Sequence, residues 1–315
     1  MTVQKALAIG VAIAAIAAVA PVSGIYPVFL MKVLCFALFA CAFNLLLGFA
    51  GLLSFGHAAF FGSAGYLTGY AVKSWGLTPE LGILAGVATS GALGWAIGRV
   101  AIRRQGIYFA MITLALAQMV YFLCVQAPFT GAEDGLLGIP RGKLFGILSL
   151  ENDLILCYVI EGIFLAGFFV IYRVIYSPFG QVLKAIRENE PRAVSLGYDV
   201  DRYKLLAFVL SAALAGLAGS SKALIVGFVT LNDVFWGTSG EVILMTLLGG
   251  MGTLTGPVVG AVLVITLQNV LADKVGAWVQ VIMGAIFIAS ILLFRKGIVG
   301  ELSKLKYLWS SKRLG

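Results

Sequence analysis

The chain has 315 residues, 61% hydrophobic and only 11% charged, with a mean hydropathy of +1.02. That balance excludes an ordinary water-soluble globule, and repeated apolar runs of roughly 20 residues predict a polytopic α-helical membrane protein, not a β-barrel. The net charge of +8 does not point to nucleic acid: 16 of the 22 basic residues fall at Lys5, Arg99 to Arg104, Arg173 to Lys204 and Arg295 to Arg313, a clustering that marks cytoplasmic segments.

In chain order, the apolar runs predict spans over 6–23, 28–47, 53–72, 81–98, 106–126, 154–172, 205–227, 239–251, 256–272 and 275–294. Segment 6–23 is read as a retained first span, because one basic residue precedes it and every later segment is also membranous. Ten spans put both termini inside. The basic clusters then become cytoplasmic, and Lys32, Lys73, Arg141, Lys143, Lys222 and Lys274 face outward. Segment 239–251 is short for an upright span; without it, parity would carry the basic tail at 295–315 outside. The expected architecture is an all-α polytopic protein of about ten transmembrane helices with broken Gly-rich segments, forming a single domain over 1–315.

Between the second and third spans, GFAGLLSFGHAAFFGSAGY (Gly48 to Tyr66) supplies five glycines with Ser54, Gly56 and His57 at membrane depth. Broken backbone of this kind is tolerated only where protein or a water-filled cavity surrounds it, so the stretch is either tight helix packing or part of a solute path. His57 is the only histidine, which removes a multi-histidine metal site, and it is weighed as a hydrogen-bonded packing residue against a gate residue. Gln118, Glu161 and Glu241 are the other polar candidates for a path. A carboxylate in a span is costly unless it faces the bundle interior or sits close enough to an interface to be hydrated.

The longest outer loop, Ala127 to Asp153, predicts an ordered surface loop with Glu133, Asp134 and Pro140. Cys35, Cys41, Cys124 and Cys157 lack metal-ligand spacing and read as buried thiols, with a Cys124–Cys157 bridge left open. Late in the chain, GGMGTLTGP (Gly249 to Pro257) echoes GFAGLLSFG (Gly48 to Gly56) in a G-x-x-G-x-L-[ST] core six spans away, an even offset that would make a repeat parallel.

The most polar stretch is Ser177 to Lys204, SPFGQVLKAIRENEPRAVSLGYDVDRYK. Phe179, Val182, Leu183 and Ile186 recur at helical spacing, predicting a short amphipathic helix. Pro191 fits the first turn of a second helix ending near Gly197. From composition alone the stretch is a solvated loop or a docking element.

Five blocks in order, LSFGHAAFFGSAGY, GIYFAMITLALAQM, TGAEDGLLGIPRG, the stretch from Phe179 to Gly219, and SGEVILMTLLGGMGTLTGPVVGA, resemble the membrane subunits of branched-chain amino-acid ABC importers of the LivM type, from about residue 35 to 300. Ala132 departs from the second glycine that such proteins commonly show there. The resemblance implies a permease that forms the path for Leu, Ile and Val in a bacterial inner membrane. It implies as partners a second related permease, two cytoplasmic ATPases and an external binding protein, with ATP used by those ATPases and no cofactor held by this chain. It also makes the loop at about 173–204 the ATPase-coupling element. An alanine followed four residues later by a glycine is Ala193 and Gly197 here, with Phe179, Gly180, Leu183, Ile186, Arg187, Glu190 and Arg192 as its other candidates. Physically, an apolar helix face would enter the partner's groove and a charged rim would set register.

The chain carries no P-loop: Gly142-Lys143 is followed by Leu144 and position 137 is Leu. Two other cargoes or classes stay open at this point: a sibling importer of urea, short amides or other amino acids, and an ion-coupled secondary transporter using Glu161, Glu241 or His57. A non-transporting membrane scaffold is the third.

Overall fold

A helix with no polar face forms the axis of the chain. In the computed structural model, which describes residues 26–146, 148–293 and 297–301, Pro27 opens helix α1 (Pro27–Asn44), which continues as a π-helix over Leu45–Ala50. A helix apolar all round belongs inside, and 94% of its most apolar window is buried. Around it pack α5 (Asp153–Ile175), α8 (Val200–Val226), α9 (Trp236–Gly249) and α10 (Gly256–Val275).

A second layer joins α8 to α2 (His57–Lys73) and α3 (Pro79–Ala101) through small residues. A Cβ at Gly219 would run into the Phe61 backbone, so α2 and α8 approach as closely as backbones allow. Thr68 donates to the Gly82 carbonyl (3.0 Å) and is linked to the Ser220 hydroxyl (2.8 Å), tying α2 to both neighbours. Helix α4 (Ile107–Gln126) covers the outer flank of α2 and α3, and α11 (Val279–Leu293) packs on α9 and α10.

Five helical segments among the described residues are long and apolar enough to cross a membrane: Pro27–Ala50, Pro79–Ala101, Ile107–Gln126, Asp153–Ile175 and Val200–Val226. The count of ten is therefore not confirmed, and the reason is physical. Expected span 6–23 lies outside the described residues, as does most of the tail at 295–315. Expected spans 53–72 and 239–251 are helical only as α2 and α9, which have 17 and 14 residues, because each begins partway through the bundle. After Ala50 the chain reverses at Gly51 and runs non-helically to Gly56, and His57 then meets Ser211, near the middle of α8, at 2.8 Å. Ala58 N in turn donates to Ser239 Oγ in the first turn of α9 (2.8 Å). The two helix starts thus meet inside the bundle and lead to opposite faces: α2 to Lys73, whose Nζ donates to the Leu137 carbonyl (2.7 Å), and α9 to Gly249, beside the turn that Asn44 holds. The expected broken, Gly-rich segments are present, and a second break precedes α9 at the turn Leu231–Asp233.

The loop Ala127 to Asp153 is ordered by pairing. Strand β1 (Leu136–Leu137) pairs antiparallel with β4 (Phe228–Val229), and β2 (Lys143–Leu144) with β3 (Leu148–Ser149). Ile139 N donates to the Gly227 carbonyl (2.8 Å), and Arg141 joins Asp153 (2.6 Å) and the Ile225 carbonyl (3.0 Å). Ala132 sits at φ +51°, a left-handed conformation that costs an L-residue about 1–2 kcal/mol, which is the physical reason for a glycine at that position. Ala132→Gly is expected to stabilise the loop by about 0.5–1 kcal/mol once glycine's extra chain entropy is subtracted. That corresponds to a Tm rise of about 1–3 °C, measurable by thermal exposure of Cys35, Cys41, Cys124 and Cys157, all buried free thiols.

Candidate functional site

Two short helices build the Ser177 to Lys204 unit. Ser177 caps α6 (Pro178–Glu188) by accepting from Gly180 N (3.3 Å), with Pro178 preset for the first turn. Asn189 both ends α6 and caps α7 (Glu190–Ser195), accepting from Arg192 N (3.1 Å). The unit has a small core of its own, in which Ile186, Ala193 and Val200 are buried against Val182 and Tyr203.

The Ala193 to Gly197 spacing now has a structural cause. Gly197 N donates to the Val194 carbonyl (2.9 Å) and Tyr198 N to the Ala193 carbonyl (3.2 Å), the paired bonds of a Schellman ending. Gly197 takes φ +87° in open space, so glycine is there for its backbone. Ala193 is the buried end of the same turn, and Arg192, Val194, Leu196 and Tyr198 are exposed around it.

The apolar stripe of α6 does not face outward as the sequence suggested. Leu183 and Ile186 are buried within the chain, Gly180 lies against the Val174 and Ile175 carbonyls, and Phe179 stacks on Tyr203 (5.5 Å between centroids). The exposed apolar surface of this stretch is instead Val194 and Leu196, with Tyr198 partly exposed and edge-on to Tyr203 (6.0 Å between centroids). Two charged candidates also have partners within the chain, Glu190 half-buried and Arg187 exposed. Glu190 accepts from Gln105 Nε2 (2.8 Å) and from the buried Lys204 Nζ (2.6 Å), bracing α7 on α8 and on the α3–α4 turn. Arg187 reaches from the last turn of α6 to donate to the Gly48 carbonyl.

Inside the bundle, Ser54 Oγ accepts from Gly56 N (3.1 Å), and a Cβ at Gly56 would crowd the Thr113 carbonyl (2.9 Å). Ser211 donates to the Ala42 carbonyl (2.6 Å), which leaves its lone pair to accept from His57 Nε2. The His57 ring is fully buried and ringed edge-on by Phe43, Phe60 and Phe208 at 5.0–5.9 Å. That is the geometry of a packing residue locking α1, α2 and α8 together.

The three remaining candidates lie apart. Gln118 is half-buried on α4, and Glu161 is buried on α5 one turn from Cys157. Glu241, on α9, lines a groove of about 480 Å³ with Asn232, Thr238, Gln268, Leu244 and Met283. Of these, Glu241 combines a carboxylate with open volume. Among the described residues no three His, Cys, Asp or Glu side chains gather as metal ligands would.

Sequence reasoning missed one buried ion pair. Lys222 Nζ donates to both carboxylate oxygens of Asp233 (2.7 and 2.6 Å), with both side chains about nine-tenths buried, and Asp233 also accepts from Thr230 N (3.1 Å). The available signal was a lysine inside the apolar run 205–227, which had been assigned only to an outer surface.

The fold and the site define a polytopic helical membrane protein with broken helices and a structured, charged two-helix loop at 177–204. The sequence profile of the family "Branched-chain amino acid transport system / permease component" matches residues 25–291, and the chain belongs to that family. It is 29% identical over 258 residues to the high-affinity branched-chain amino acid transport permease LivM of Escherichia coli K12, covering 73% of this chain and 60% of the relative. It is 23% identical over 284 residues to LivH of Salmonella typhimurium, covering 84% and 91%. The autoinducer 2 import permease LsrC of Klebsiella pneumoniae is 27% identical over 220 residues, covering 66% and 61%. The chain thus spans about three fifths of the length of its LivM relative. No solved structure matches.

Proposed function

We propose that this chain is a permease subunit of an ATP-driven importer for branched-chain amino acids in a bacterial inner membrane. It acts beside a second, LivH-like permease, two cytoplasmic ATPases and an external binding protein. The single observation that carries the reading is the α6–α7 unit: capped at both starts, cored by its own residues, and presenting Val194, Leu196 and Tyr198 on an otherwise polar stretch. An exposed apolar cluster rimmed by charge is what a partner's groove takes up. The clustering of basic residues favours the cytoplasmic side for that unit, where ATP-driven closure of the ATPases would move α5 and α8 through it.

Cargo selection is assigned chiefly to the binding protein. The LivM and LivH relatives favour branched-chain cargo, and the LsrC relative belongs to an autoinducer 2 import system. Within the chain, the Glu241 groove is the part of the path with a charge able to meet a substrate ammonium, beside apolar Leu244 and Met283. Glu241→Gln is expected to raise the apparent KM for uptake roughly tenfold, the scale of one lost charge-assisted hydrogen bond, without releasing the ATPases. Unchanged uptake kinetics would remove Glu241 from the path.

The test of the whole reading is co-purification of the tagged chain from its native membrane together with uptake of labelled leucine, isoleucine, valine and urea in a deletion strain. Two ATPases and lost branched-chain uptake are expected. Lost urea uptake would reassign the cargo, and uptake by the chain alone on an ion gradient would overturn the ATP-driven reading.

A further inference from the structure

Two glycine turns from distant parts of the chain meet at one side chain. Gly51 and Gly252 hold the same position in the G-x-x-G-x-L-[ST] echo and adopt the same left-handed backbone, φ +75° and +76°. A Cβ at Gly51 would stand 3.0 Å from Arg187 Cγ, and a Cβ at Gly252 would stand 3.3 Å from Arg187 Nη1, the nitrogen that also donates to the Gly48 carbonyl. Asn44 closes the circuit from α1: its Nδ2 donates to the Thr253 carbonyl (2.8 Å) and its Oδ1 accepts from Gly252 N (2.9 Å). Each turn feeds a helix, Gly51 to Gly56 leading into α2 and Gly252 to Thr255 into α10.

Of the other basic side chains with contacts in this unit, Lys204 pairs with Glu190 and Arg202 with Asp199, while Lys184 lies over the Phe49 ring beside the first turn (5.7 Å) and over Tyr176 (5.8 Å) without reaching the second turn's glycine. Arginine suits the clasp because its stem packs flat on a Cβ-less backbone while its planar fork reaches a carbonyl beyond.

We propose that Arg187 is the positioning residue through which the α6–α7 unit moves both glycine turns, and with them the starts of α2 and α10, as one body. The proposal rests on the reading of α6–α7 as the coupling element, and it differs from a partner contact: the Arg187 side chain stays partly exposed, but its guanidinium is engaged by the Gly48 carbonyl of its own chain. A movement of α6 relayed through Arg187 reaches two related turns at once, turns that Asn44 of α1 and Gly48 of its π-helical continuation already hold side by side.

The test uses the full chain with spin labels at exposed Gln181 on α6 and exposed Val262 on α10, introduced as unnatural amino acids so that the native thiols are untouched. In bilayer discs the wild-type chain is expected to give one narrow distance, and Arg187→Met a broad one. Gly51→Ala and Gly252→Ala, which strain the turns from the other side, are expected to copy it. In the assembled transporter, Arg187→Met should keep the ATPases bound and hydrolysing while uptake falls roughly tenfold or more, with Arg187→Lys recovering part of it. An unchanged distance distribution in Arg187→Met, or unimpaired uptake, would overturn the clasp. Loss of the ATPases from Arg187→Met, with normal binding by both glycine variants, would also overturn it by making Arg187 a partner contact. If the wild-type chain recruits no ATPase, the coupling reading fails instead, and the distance measurement on the chain alone still decides the clasp.

Discussion

Lys222→Met lowers the stability of the chain by about 3–5 kcal/mol, the cost of leaving a buried carboxylate without its counter-charge. Asp233 has few ways to relax. Its side chain is about one-tenth exposed, and it already accepts from Thr230 N to cap the turn at Leu231–Asp233. That turn is pressed onto α2, where a Cβ at Gly62 would meet the Asp233 carbonyl at 2.8 Å. The pair therefore holds the descending segment that places the start of α9, and losing it frees Trp236 to Ser239 from the start of α2. Adding Asp233→Asn to Lys222→Met should restore most of the loss, because a neutral amide keeps an acceptor for Thr230 N and removes the unpaired charge. The readout is a double-mutant cycle on the thermal transition in detergent, followed by dye labelling of the buried cysteines. A favourable interaction of about 2 kcal/mol or more is expected, and simple additivity of the two changes would refute the account.

How far the sequence could be read depended on whether the decisive contact was local. Helix limits followed from apolar runs and punctuation: Pro79, Gly106, Asn152 and Gly227 sit within a residue or two of where α3, α4, α5 and α8 begin or end. The break after Ala50 was visible because glycines at 48, 51 and 56 interrupt an otherwise continuous span. The break before α9 was not, since Val229 to Phe235 contains no glycine or proline. It is made by tertiary contacts, the β1–β4 pairing and the Lys222–Asp233 pair.

The same limit applied to the charged loop. Helical periodicity located Leu183 and Ile186 on one stripe, yet it carries no information on what that stripe packs against, and the stripe turned out to bury itself in the chain. Charges at the edge of the stripe read, by sequence, as a rim that sets register on a partner. Arg187 and Glu190 instead have partners 139 and 14 residues away, which no local spacing encodes. Conversely, the G-x-x-G echo proved more informative than its composition, because Gly51 and Gly252 share one backbone conformation and one contacting side chain.

The surface left for a partner after this folding-in is small, and it makes the strongest functional prediction. Leu196 is 69% exposed and Val194 56%, while the residues between and behind them are fixed by the Schellman ending and the buried Ala193. Asp at both positions should therefore leave the unit folded: neither side chain belongs to its core, and both project from a turn whose backbone bonds are internal. Docking is different. Burying a leucine and a valine in a partner groove is worth about 1.5–3 kcal/mol each, and carboxylates there add a desolvation cost. The combined loss of about 4 kcal/mol or more corresponds to roughly a thousandfold weaker ATPase binding. Uptake in the deletion strain should fall by roughly a hundredfold or more, with insertion and thermal transition unchanged. The contrast with Arg187→Met is specific, since that variant keeps the ATPases and loses only transmission. If Val194→Asp with Leu196→Asp retains the ATPases at wild-type stoichiometry, the docking surface lies elsewhere on the loop, and the exposed end of α7 is an ordinary solvated turn.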